Sequence, residues 1–208
     1  MTDEILTIFD EKGNIAGTAP RDEVHRLGLW HETFHFWLIS LEQGIPYIYL
    51  QLRSEQKKDY SGLLDITAAG HLLAGETVED GVREVQEELG LVIAFDKLIP
   101  LGTIPYEMTQ EGIIDKERAH VFVYQQSVAW DDFALQEEEV AVMVRAELHD
   151  FHALWTGISN EIEIQGFRVS GSGERIQIKQ TVNRGLFVPH EIDYYERVLT
   201  GIQAIFRE

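Results

Sequence analysis

The chain has 208 residues, 44% of them hydrophobic and none of them cysteine. That length suits one decorated globular domain, and the absence of thiols excludes disulfides and thiolate catalysis. A formal charge of -19 argues against non-specific binding to nucleic acid or to an anionic membrane, both of which need basic surface, and no apolar run is long enough for a transmembrane helix.

The N-terminus, MTDEILTIFDEKG, is acidic and lacks the basic-then-apolar order of a signal peptide, so a cytosolic protein is expected. ILTIF reads as a strand, followed by a KGN turn, a second strand and a helix beginning near Pro20. Strands are expected over 33–40 and 46–53, joined by LEQGI; the alternation in YIYLQLR is the half-buried strand pattern. KKDYSG is a turn-rich loop, and LLDITAAG carries another strand into Gly70.

The run GHLLAGETVEDGVREVQEELGL, 70–91, is the most informative stretch. Thr77 is the expected N-cap, with Asp80 three residues later, and Gly90 stands where a left-handed residue ends a helix. Helical neighbours lie three and four residues apart, which puts Glu84, Glu87 and Glu88 on one narrow face. Val78, Val82, Val85 and Leu89 fall on the opposite, buried face. Adjacent like charges cost a few tenths of a kcal/mol per exposed pair, roughly. A hard, oxygen-seeking dication offsets that cost. Gly81 costs up to ~1 kcal/mol relative to Ala inside a helix, which either a close approach of neighbouring backbone or simple drift explains.

Beyond it, LVIAF, IPLGTIPY and RAHVFVYQQ read as strands, and EEVAVMVRA as another that leads into a short helix around 147–154. QGFRVSG and RIQIKQ flank an SGSGE turn as a hairpin. HEIDYYERVLTGIQAIF is an amphipathic helix whose Tyr194, Tyr195, Val198, Ile202 and Ile205 either cap the core or pair with a second copy, a homodimer being expected. Mixed strands with few helices give an α/β sandwich.

The 70–91 run resembles a Nudix box, the signature of the Nudix hydrolase superfamily. Gly70 and Glu76 have the family spacing, and Arg83 to Leu91 (REVQEELGL) match throughout; six residues separate Glu76 from Arg83 where the pattern has seven. HETFHFWLIS, YIYLQLRS, KKDYSGLLD and ITAAGH resemble the subgroup similar to isopentenyl-diphosphate isomerase. The likeness covers roughly 4–150; the chain from about Phe151 has no counterpart in it.

The resemblance implies a Nudix-type α/β/α sandwich with a mixed sheet, a loop-helix-loop motif and a C-terminal extension. In these terms 1–30 is an N-terminal extension, 31–155 the core, and 156–208 a C-terminal hairpin and helix of the same domain. It implies hydrolysis of a nucleoside diphosphate linked to a group X, assisted by Mg²⁺ or Mn²⁺. Glu84, Glu87 and Glu88 are then metal ligands, with Glu87 or Glu88 also orienting the attacking water. Arg83 serves as a guanidinium fork that fixes a carboxylate, and the carbonyl at Gly70 faces the metal. In the isomerase the positions of His31 and His71 carry metal histidines; in a hydrolase either serves hydrogen bonding, His71 as a substrate-binding residue. In the acidic run of Glu137, Glu138 and Glu139, Glu139 is first choice and Glu138 second for general base or extra ligand. Arg53, Lys57 and Lys58 are the local cations for a phosphate. Each of these charged residues has an alternative as ordinary solvated surface.

Two other functions compete. The isomerase needs a cysteine immediately before the Gly-His pair, where this chain has Ala69, and alanine cannot hold a proton. A non-catalytic binding domain would not require the intact REVQEE run. The group X is not legible: Trp30, Phe34, Phe36 and Tyr106 serve either base stacking or core packing.

Overall fold

The computed structural model describes residues 4–110 and 112–207; the first three residues of the acidic N-terminus lie outside them. Strand β1 (Ile5–Phe9) returns as β2 (Ile15–Pro20). Their turn is organised by Asp10, whose carboxylate accepts from the backbone N–H groups of Lys12 and Asn14. Helix α1 (Arg21–Leu27) starts after Pro20 and stops at Gly28, which adopts φ 64°, a conformation glycine enters without the steric cost other residues meet.

The centre of the sheet is β3 (Trp30–Glu42). It pairs antiparallel with β1, with β4 (Ile45–Arg53) and with the short β6 (Ala68–His71). It pairs in parallel with β8 (Ile113–Gln125) from Trp30 to Ile39, which makes the sheet mixed. The two-residue β5 (Leu64–Asp65) lies on β4, and β7 (Ile99–Gln110) forms a long hairpin with β8. The other edge continues through β9 (Val140–Glu147), β10 (Glu161–Val169) and β11 (Arg175–Asn183).

Side chains alternate across a strand, and β3 shows what that achieves. Phe34, Phe36 and Leu38 enter one apolar cluster, while Trp37 and Ile39 enter another on the opposite face. The first cluster is covered by α2 (Arg83–Leu89) through Val85 and Leu89. Burying each such side chain is worth roughly 1.5–3 kcal/mol. The second is covered by α3 (Leu148–Trp155) and α4 (Ile192–Ile205), through Phe151, Leu154, Tyr195, Val198 and Ile202. Helices on both faces of a mixed sheet give the expected α/β/α sandwich. No helix among the described residues is long and apolar enough to cross a membrane.

Several local expectations are corrected. LVIAF forms no strand: Leu91, Ile93 and Phe95 do face the core while Val92 and Ala94 are exposed, but its backbone pairs with no strand among the described residues, and the chain instead turns through a 3-10 helix at Phe95–Lys97. The 77–90 segment is not one α-helix, because Asp80–Val82 is a 3-10 turn and α2 begins only at Arg83. Thr77 is not the acceptor at that N-terminus; its N–H and hydroxyl both donate to the Asp80 carboxylate. Gly81 does mark a close approach, to the Phe34 side chain and not to backbone: a Cβ there would lie 2.7 Å from Phe34 Cβ. Gly90 ends α2 at φ 73°, as expected.

Candidate active site

Helix α2 is short, yet it carries Arg83, Glu84, Glu87 and Glu88. Arg83, at its first turn, donates from Nε and Nη2 to Glu76 at 2.7 and 3.0 Å, and from Nη1 to Glu84 at 2.5 Å and Glu87 at 3.2 Å. Its Nη2 also donates to the His71 carbonyl at 3.0 Å. The guanidinium thus ties the loop after β6 to the helix. The single-residue shortening between Glu76 and Arg83 leaves this contact intact, and Glu76 also accepts from the Leu73 N–H. The hydrogen bond from Arg83 holds the Glu76 carboxyl below the usual carboxylate range.

The three helix carboxylates are not equivalent. Glu87 is about half exposed, at 54% of its side chain. Glu88 is buried against the sheet, where its Oε2 accepts from Gln51 Nε2 at 3.1 Å and from the Ala69 N–H at 3.3 Å. Glu84 lies over Gly70 so closely that a Cβ on the glycine would fall 2.1 Å from Glu84 Cδ. Burial pushes Glu84 up to about 7, with Arg83 opposing and Glu87 adding to the rise. Burial and then the neighbouring Glu84 charge push Glu88 up to about 8. Two buried carboxyls, Glu84 and Glu88, whose charged forms are disfavoured without a neutralising cation, beside a cradle that any Cβ would fill, fit a hard dication of the Mg²⁺ or Mn²⁺ type.

Around this helix the remaining predicted residues divide. Glu139 pairs with Lys57, and both, with Arg53, act electrostatically on Glu88. Glu137 and Glu138 are exposed on the same loop. That loop is held to the end of α2 by the Ala134 and Gln136 N–H groups, which donate to the Leu89 and Glu88 carbonyls. Arg53 is already engaged: Nη1 donates to Asp65 at 3.1 Å, and Nε and Nη2 donate to the Asp59 carbonyl. Lys58 points away, 3.6 Å from Asp22 of α1 and 64% exposed. Phe34, Phe36 and Tyr106 are buried in the core, and the Trp30 indole donates to Glu11.

His71 belongs elsewhere. Residues 69 and 71 of β6 face the side of the sheet opposite Gly70, and there His71 meets His25 of α1 and His31 of β3, with ring centroids 5.2 to 5.3 Å apart. Asp115 and Glu117 of β8 adjoin them, and ligand atoms of His25, His31 and His71, and of His31, Asp115 and Glu117, lie within 4.8 Å of one another. His31 Nδ1 donates to the Leu29 carbonyl, which leaves Nε2 with its lone pair free. His31 Nε2 and Asp115 Oδ1 are both buried without a hydrogen-bond partner. Burial holds all three histidines below the usual imidazole range, His25 at about 4. Burial and then Glu117 push Asp115 well up; against its own burial, the hydrogen bond from His35 holds Glu117 well down. Neutral imidazoles and carboxylates with orphaned atoms fit a borderline dication such as Mn²⁺, Co²⁺ or Zn²⁺.

Sequence reasoning had His31 and His71 but missed His25, Asp115 and Glu117. The available signal was parity: His31, Thr33 and His35 alternate with Phe34 and Phe36, and Asp115 alternates with Glu117 around Lys116.

Comparison with known proteins places this geometry. The NUDIX domain family model matches residues 18–163. An uncharacterized Nudix hydrolase of Clostridium acetobutylicum is 34% identical over 202 residues, covering 97% of this chain and 98% of that protein. An isopentenyl-diphosphate Delta-isomerase of Mycolicibacterium vanbaalenii is 31% identical over 124 residues, covering 58% of this chain and 66% of that one. A crystal structure of a Deinococcus radiodurans protein superposes with a TM-score of 0.56 at 17% identity, covering 74% of this chain and 88% of the other.

Proposed function

Since the chain belongs to the Nudix hydrolase family, we propose that it cleaves the diphosphate linkage of a nucleoside diphosphate joined to a group X, with Mg²⁺ or Mn²⁺ held by Glu84, Glu87 and Glu88. The observation that carries this reading is the pair of buried carboxylates, Glu84 and Glu88, set side by side behind Gly70. A dication bound there supplies charge neutralisation on the diphosphate oxygens and a more acidic water.

The protein's own groups supply the rest. Arg83 ties Glu84 and Glu87 together, and Gln51 with the Ala69 N–H fixes Glu88 Oε2. Gly70 leaves room for its carbonyl to approach. Glu139 accepts a proton from water in this reading, and Lys57, its ion-pair partner, steadies it and offers a cation to the phosphates. Arg53 acts at longer range, because its guanidinium is occupied. His71 lines the other side of β6, where the histidine group would hold a second, borderline dication. The setting is cytosolic, the partner a small nucleotide-type molecule, and the assembly a homodimer.

Incubation with Mg²⁺ or Mn²⁺ and a panel of nucleotide sugars, dinucleoside polyphosphates, NADH, CDP and UDP tests the reading. Release of a nucleoside monophosphate or phosphate from at least one compound is expected; silence across the panel would count against it.

The histidine group and the isomerase relatives favour a second reading, double-bond isomerisation of an allylic diphosphate. Ala69 counts against it, since no side chain there can hold a proton. Interconversion of isopentenyl and dimethylallyl diphosphate in the same assay would establish it.

A further inference from the structure

The face of the sheet that carries the histidine group also holds a buried chain of hydrogen bonds that runs into the C-terminal helix. Trp37 Nε1 donates to Tyr194 Oη at 3.2 Å, and Tyr194 Oη lies 2.7 Å from His35 Nδ1. His35 Nε2 lies 3.0 Å from Glu117 Oε2. The same Glu117 oxygen accepts from Thr33 Oγ1 at 2.8 Å and Tyr106 Oη at 2.7 Å. All six side chains are buried.

The donor inventory fixes the direction of this chain. An indole N–H can only donate, and a phenol has one proton. Tyr194 accepts from Trp37. An ionised carboxylate can only accept, so the His35 proton sits on Nε2 and is donated to Glu117, and Nδ1 of the neutral ring accepts the Tyr194 proton. With His35, Thr33 and Tyr106 all donating to Oε2, the second oxygen of Glu117 is left for the space shared with His31 and Asp115. An imidazole with no partner at Nδ1 could place its proton there and present a lone pair to the carboxylate, which repels it.

We propose that Tyr194 is a positioning residue for the histidine and carboxylate cation site, acting through the His35 tautomer on the orientation of Glu117. The inference rests on the reading that this group holds a dication. It assigns a role to the C-terminal helix, which lies beyond the 18–163 family match. The α4 helix is then a working part of the site as well as a cover for the core. Outer-sphere partners of this kind typically change metal affinity by about 10–100-fold when removed.

The test uses the full-length, metal-free protein titrated with Co²⁺, read by calorimetry and by the visible absorption of the histidine-bound ion. Tyr194→Phe keeps the ring and loses only the hydroxyl. The expected result is Co²⁺ affinity at this site weakened by about tenfold or more. In a His35→Gln background, Tyr194→Phe should change that affinity less than about twofold, because the coupling runs through the imidazole. The melting temperature of each metal-free variant is recorded alongside. A Tyr194→Phe protein that melts earlier but binds Co²⁺ as tightly as wild type would reduce Tyr194 to packing and overturn the proposal. Equal sensitivity to Tyr194→Phe with and without His35 would overturn it too. Wild type without a histidine-bound Co²⁺ band would remove the cation site itself, an outcome distinct from both and equally fatal. None of these results bears on nucleotide hydrolysis at α2, which the substrate panel reads separately.

Discussion

Gly70→Ala separates catalysis from stability. The added Cβ would fall 2.1 Å from Glu84 Cδ and 2.3 and 2.4 Å from its two oxygens. Glu84 can yield, because the obstructing atoms are the far end of a flexible side chain, and ordinary contact is restored by a shift of roughly 1.5 Å. That shift breaks its 2.5 Å bond to Arg83 and takes a ligand off a cation whose oxygens sit at roughly 2.0–2.1 Å. Misplacement by about 1 Å can cost ~10²-fold in rate. The backbone at Gly70 is not left-handed, and at such a compatible position alanine restricts the unfolded chain and contributes about 0.4–1 kcal/mol. The variant should therefore lose ~10²-fold in kcat/KM while its urea midpoint stays within error of wild type. Nucleotide hydrolysis with Mg²⁺, followed alongside urea unfolding, reads both quantities. Full activity would refute the reasoning, and so would inactivity matched by a large loss of stability.

Other substitutions should behave differently. Gly81→Ala meets Phe34 Cβ and Cγ at 2.7 Å in the core, so it should cost about 1–3 kcal/mol in urea unfolding; a neutral result would contradict that contact. Glu139→Gln should lower kcat by about 10²-fold or more with an unchanged circular dichroism spectrum, and a loss under tenfold would remove it as general base. Against burial, the hydrogen bond and charge of His190, with Arg53, hold the Asp65 carboxyl well below its usual range. A depressed carboxylate contributes stability that is present above its unfolded pKa of about 3.9 and lost as pH falls toward the folded value. Asp65→Asn should thus start less stable at pH 7 and decline less steeply below about pH 4; parallel stability curves from pH 2 to 6 would exclude that role.

What the sequence disclosed followed the range of its interactions. Arg83, Glu84, Glu87 and Glu88 were legible because they lie within two turns of one helix, where spacing alone decides which side chains meet. The hairpins and α4 were legible from alternation and amphipathicity. LVIAF misled because an apolar run looks like a strand whether or not a neighbour exists to pair with it, and Val92 finds none. The inward histidines were hidden for another reason. In β3 the polar His31, Thr33 and His35 alternate with Phe34 and Phe36, a pattern that normally marks a solvated face, yet all three are buried. Their partners on β8 and α4 are 82 to 159 residues away. Only the parallel pairing of β3 with β8 brings Thr33 and His35 to Glu117. Arg53 looked free in sequence because Asp65, which binds it, belongs to another strand.

Anomalous scattering from crystals soaked with Mn²⁺ and a non-hydrolysable nucleoside diphosphate analogue tests the central claim most directly. Density for Mn²⁺ coordinated by oxygens of Glu84, Glu87 or Glu88, with the analogue's phosphates against it, is the predicted result. Mn²⁺ found only among His25, His31 and His71, in a protein that still hydrolyses nucleotides, would contradict the account.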